Sequence, residues 1–124
     1  MRDFLASDLP TINAWHRAHG QTDMTAEMVP SYGAIEPGIA AGFLYRTDAY
    51  GVAHMDLFVT NPEAPLFARY RAIEDAIQWL TDRAKEDGVK HIIAAMTSRS
   101  LTKITRRLGF TDNGMFRVML KEVT

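Results

Sequence analysis

The chain has 124 residues, 47% of them apolar and 23% charged, with a formal net charge of −1 and no cysteine. That composition suits one self-sufficient globular domain, excludes disulfides and thiolate chemistry, and gives no general attraction to nucleic acid or anionic membrane. No apolar run approaches the ~18 residues that a membrane span needs, and the opening MRDFLASDLP lacks a signal-peptide core, so a cytoplasmic protein is expected.

Residues 2–6 read as a short first strand. Ser7 or Asp8 then offers a helix cap, Pro10 is tolerated in the first turn, and Leu9, Ile12 and Trp15 follow at helical spacing until Gly20. A short helix is expected around residues 25–28. Residues 32–36 and 39–46 flank Pro37-Gly38, a turn dipeptide, and read as a hairpin. Residues 52–59 alternate, with Ala53, Met55, Leu57 and Val59 on one face and Val52, His54, Asp56 and Phe58 on the other.

A long helix is expected from about Tyr70 to Asp87, because Ile73, Ala76, Ile77, Leu80 and Ala84 form a continuous stripe that Gly88 ends. His91–Met96 is a short apolar run suited to an interior strand. A further helix, capped by Thr97 or Ser98, turns Leu101, Ile104 and Leu108 inward and stops at Gly109, and a last strand is expected over 115–123. The expected fold class is thus α/β (α+β), a mainly antiparallel meander followed by a βαβ unit. Phe43, Trp15, Trp79, Phe116 and the methionines read as core or interface residues. The histidines at 16, 19, 54 and 91 make no convincing metal set, and no P-loop, Rossmann fingerprint or nucleophile motif occurs.

This order of elements, with RSLTKITRRLGF from Arg99 to Phe110, resembles the GCN5-related N-acetyltransferase (GNAT) family. The meander, the short length and a glycine-free strand-to-helix junction are also similar to small GNAT-like proteins of tailed bacteriophages. The resemblance implies one GNAT-like domain over 1–124 in which the parallel strands at 52–59 and 91–96 splay apart. It implies acetyl-CoA as acyl donor, with the pantetheine arm along the main chain at Leu57, Phe58 and Val59. The pyrophosphate would rest near the junction from Leu66 to Arg71, involving Phe67, Arg69, Tyr70 and Arg71, with Ser98 also close to the donor.

Asp56, with His54 two positions away on the same face, is the implied base or water-ordering group for an acceptor amine. Several departures from the family pattern stand beside these matches. Arg69-Tyr70-Arg71-Ala72 has alanine where the first glycine belongs, and Glu74 takes the place of the second small residue. Thr105 occupies the usual place of a tyrosine acid, and Ser98 that of an asparagine. Arg99, Lys103, Arg106 and Arg107 form a basic helical face, read as solvated surface or as a contact for the ribose phosphate of CoA, an acidic protein or a nucleic-acid backbone, the last disfavoured by the near-neutral net charge. Two functions follow as expectations: an acetyl-CoA-dependent N-acetyltransferase acting on a small-molecule or protein amine, or a catalytically inactive binding protein of the same fold. The second would act on a host or virion protein and could form a homodimer; no metal is expected in either.

Overall fold

A computed structural model describes residues 1–96, 98–114, 121 and 123. Strands β1 (Arg2–Asp3), β2 (Tyr32–Glu36), β3 (Ala40–Arg46), β4 (Val52–Thr60) and β5 (His91–Ala94) form one sheet in sequence order. The pairings are antiparallel from β1 to β4, and β4–β5 is parallel. Helices α1 (Leu9–Ala18), α2 (Leu66–Glu86) and α3 (Arg99–Arg107) pack around it, with short 3-10 turns at Ala6–Asp8 and Ala26–Met28. The last expected strand lies outside the described residues, apart from Lys121 and Val123, which are not in a strand.

The sheet has a core on each face. Ala40 and Leu44 of β3 join Ala53 and Met55 of β4 beneath Ile73, Ala76, Ile77 and Leu80 of α2 and Ile104 of α3. Ala41 and Phe43 alternate with them and meet Ile12 and Trp15 of α1 on the opposite face. Coverage on both faces explains why residues 40–44 are apolar or glycine without a polar alternation. Phe4 meets Phe43 edge to face at 5.0 Å, and the pair lies against Gly33, where a Cβ would stand 2.8 Å from Phe4 and 2.9 Å from Phe43.

Four expectations need correction. The alternation in β4 breaks at Leu57, which adopts φ 57°, and the register with β3 shifts between Ala41 and Phe43. This bulge sends Phe58, rather than Leu57 and Val59, to the face of Ala53 and Met55, while Leu57 and Val59 join the α1 side. Gly42 makes room for it: the Phe58 ring lies where a side chain at Gly42 would stand. Second, α2 begins at Leu66, not near Tyr70. Pro65 permits an immediate start, and the first turn is exposed at Leu66 and Phe67, so it contributes nothing to the core stripe that marked the rest. Third, β5 ends at Ala94, before the expected Met96. Asp8 also does not cap α1 through its side chain. Its carboxylate instead accepts the Leu5 N–H at 2.8 Å and a two-point pair from Arg2 at 2.8 Å each.

Candidate functional site

The parallel pair is joined only from Val52/His91 to Met55/Ala94. Beyond Met55, β4 runs on to Thr60 while β5 has ended, so the two chains part at Asp56. The cavity at this fork measures about 260 Å³ and lies between the far half of β4, Ala95, Leu101 and the segment after α1. Leu57 and Phe58 line it, whereas the Val59 side chain is buried in the α1-side core.

The wall opposite β4 is held in place by named contacts. Asn13 on α1 donates to the Met24 carbonyl at 2.9 Å and accepts the Met24 N–H at 2.8 Å. Tyr45 on β3 donates to the Met28 carbonyl at 2.7 Å. Burial, and next the Asp56 carboxylate, push the Tyr45 phenol up to about 12, so it remains a donor at neutral pH. His19 Nε2 lies 2.9 Å from the Thr60 carbonyl and ties the end of α1 to the end of β4.

Asp56 and His54 share a face, as their spacing indicated. The His54 Nε2 to Asp56 Oδ2 distance of 3.8 Å is too long for a hydrogen bond. Asp56 Oδ1 accepts the Leu57 N–H at 2.7 Å across the bulge, and the side chain stays 40% exposed. Asp56 lines the cavity and His54 does not.

The junction before α2 uses its amides internally. Asn61 is the organiser: its side chain donates to the Gly38 carbonyl at 2.9 Å and accepts the Glu63 N–H at 3.0 Å, while its carbonyl accepts the Ala64 N–H at 3.1 Å. The α2 N-terminus has no side-chain cap, and the first helical bond runs from Arg69 N–H to the Pro65 carbonyl at 3.0 Å. The N–H groups of Leu66, Phe67 and Ala68 are therefore left for a ligand or solvent among the described residues. Arg69, Tyr70 and Arg71 lie within the first turns of the helix, and Ala72 is buried against the sheet.

A groove of about 650 Å³ runs between α2 and α3, lined by Phe67, Tyr70 and Arg71 on one side and by Ser100, Lys103 and Arg107 on the other. Tyr70 and Ser100 hydroxyls meet at 3.0 Å, and Glu74 pairs with Arg107. That pairing engages one of the two carboxylates that line the groove; Asp75 is the other. Phe67 is 75% exposed at the groove's edge. Arg106 pairs with Asp112, so the basic face of α3 is partly engaged by acidic neighbours. Ser98 caps α3 by accepting the Leu101 N–H at 3.1 Å. Thr105 is buried, and its one hydroxyl proton is shared between the carbonyls of Leu101 and Thr102, each 2.9 Å away.

His16 and Gln21 line the cavity at the fork and were missed as site residues. The signal was present but bland: His16 follows Ile12 by one helical turn, a polar residue on the buried stripe of α1. Among the described residues, no group of acidic and histidine side chains could hold a metal ion, and no helix is long and apolar enough to cross a membrane.

No protein-family model matches the chain, and no curated protein matches it either. Solved structures do. A mutant of TTHA1254 from Thermus thermophilus aligns with TM-score 0.71 at 12% identity, covering 100% of this chain and 99% of the other. A protein described as a probable acetyltransferase aligns with TM-score 0.68 at 12% identity, covering 100% and 99%. An acetyltransferase from Trypanosoma brucei aligns with TM-score 0.62 at 18% identity, covering 98% and 97%. The chain is thus similar, over nearly its whole length and theirs, to the fold of solved acetyltransferases.

Proposed function

We propose that this protein is an N-acyltransferase that moves an acetyl group from acetyl-CoA to an amine. The observation that carries the reading is the fork itself: β4 and β5 separate after Met55/Ala94, opening a cavity in line with the far half of β4. The donor fits the residues present. The uncapped start of α2 offers amides of Leu66, Phe67 and Ala68 and a positive dipole end to a pyrophosphate. The α2–α3 groove adds Arg71 and Lys103, with Phe67 and Tyr70 available to stack on a base. Main chain from Leu57 to Val59 would carry the pantetheine arm, as the family resemblance implies.

Asp56 lines the fork and would hold the amine or a water beside it, with His54 next along the strand. Neither Thr105 nor Ser98 supplies an acid, since an aliphatic hydroxyl is far too weakly acidic; Thr105 gives its proton to the α3 backbone and Ser98 accepts the Leu101 N–H. Solvent then protonates the departing thiolate. Thr105 is also the observation that favours the second reading, a binding protein that keeps the fold without the chemistry. Calorimetry with acetyl-CoA separates the two. Saturable heat, weakened by Arg71→Ala and Lys103→Ala together, supports the acyltransferase; no heat at near-millimolar ligand removes it.

A further inference from the structure

Resting on that acyltransferase reading, we infer that the acceptor is a small monoamine with an apolar body. It binds in the cavity at the β4–β5 fork, and His16 Nε2 takes its proton. His16 is only 3% exposed. Its Nδ1 lies 2.8 Å from Gln21 Oε1, an oxygen that can only accept, so Nδ1 carries the proton and the neutral ring keeps its lone pair on Nε2. Nε2 is buried and has no hydrogen-bond partner among the described residues. A buried acceptor without a partner costs free energy, and a ligand N–H in the adjoining cavity would relieve it.

The lining sets the ligand class. At about 260 Å³ the space falls below the usual ligand-pocket range of ~300–1,000 Å³, so the substrate is small. Met24, Met28, Leu57, Phe58 and Leu101 give it an apolar wall. Asp56 from β4 is the one charged side chain lining it among the described residues; the segment after α1 adds neutral Gln21 and Thr22, and α3 adds none. One carboxylate balances one ammonium. A polyamine would bring unpaired charge, and an amino sugar would bring hydroxyls without partners.

In the reaction, the ammonium gives a proton to His16 Nε2 and becomes a free amine. Its nitrogen attacks the thioester carbon, the C–S bond breaks, and the thiolate leaves. Solvent takes up the second N–H proton and protonates that thiolate, and His16 returns its own proton to solvent.

The test is a titration of the ring nitrogens by ¹⁵N NMR on the full chain, with isobutylamine and benzylamine against spermidine and glucosamine. The Nδ1–H form of His16 is expected in the free protein. Isobutylamine and benzylamine should shift its Nε2 signal saturably and leave His19 still, while spermidine and glucosamine should shift neither signal. His16→Asn should weaken isobutylamine binding by about 10-fold or more, the scale of a hydrogen bond to a charged group. Should that variant not fold, the titration of the unaltered protein decides alone. An unmoved His16 signal, or equal response to spermidine, overturns the inference. Acetyl-CoA calorimetry is run separately. Heat with acetyl-CoA but a silent His16 sinks this inference and leaves the acyltransferase. A His16 response without acetyl-CoA heat sinks the acyltransferase and leaves an amine-binding cavity.

Discussion

Replacing Gly42 by alanine should destabilise the protein through one ring. A Cβ at this position would lie 2.3 Å from Cε1 and 2.4 Å from Cδ1 of Phe58. Carbon atoms pack at about 3.5–4.0 Å, so the ring must retreat by more than about 1 Å. Phe58 leans on the α2-side core, and the bulge at Leu57 fixes its position, so it has little freedom to move. Overpacking of this kind costs about 1–3 kcal/mol, or roughly 4–12 °C of melting temperature for a domain of this size. Urea unfolding followed by circular dichroism reads it as a lower midpoint at unchanged slope. The decisive measurement is a double-mutant cycle with Phe58→Ala. Without the ring, the added methyl should be neutral or slightly stabilising, because alanine loses less backbone freedom than glycine on entering a strand. The coupling energy should then reach at least about 1 kcal/mol. Equal losses in both backgrounds would refute the clash as the cause.

Ser98→Ala removes the α3 cap and should cost about 0.5–2 kcal/mol by urea unfolding, whereas Ser98→Asp should retain most of it. The Arg2 guanidinium, and with it the Leu5 N–H, holds the Asp8 carboxyl below its usual range. A depressed folded-state pKa means that the stabilisation is full above the unfolded carboxyl pKa of about 4 and fades as acid takes the pH down through the folded value. Asp8→Asn should therefore unfold more readily at pH 7, with the gap to the parent closing below about pH 4. Tyr45 shifts the other way. Its contribution is intact below the ordinary tyrosine pKa of about 10 and declines as the pH rises toward its own value of about 12. Ultraviolet titration should find a late-ionising tyrosine that is lost in Tyr45→Phe, beside Tyr32, whose phenol is also raised by its hydrogen bond with Asp87.

The fold was legible where each local signal agreed with the next. Pro37-Gly38 fixed the β2–β3 hairpin, the Ile73-to-Ala84 stripe fixed α2, and Gly88 and Gly109 mark the helix ends, both at positive φ. Failures came where the determining interaction is not local. The break in β4 depends on Phe58 finding an empty place across the sheet at Gly42, a contact between residues that no periodicity links. The first turn of α2 was lost because its exposed Leu66 and Phe67 carry no core stripe, although Pro65 permits a start there.

The candidate site was harder to read for a related reason. Its proposed anion contacts are amides at a helix start, and main chain has no residue code, whereas Arg69–Ala72 carries side chains that resemble a familiar pattern. Asp56 was legible because a carboxylate on a strand invites a chemical reading, and the fork does place it on the cavity wall. His16 was not, since a histidine on a buried stripe looks like core until its partners are known. What separates it from a packing residue is Gln21, five positions on, whose oxygen commits one ring nitrogen and leaves the other without a partner among the described residues. A buried base of that kind is costly to keep in a protein that only needs to fold. Gln21→Leu should therefore leave the fold in place while releasing the Nδ1–H tautomer, and the ring-nitrogen spectrum would register that change directly.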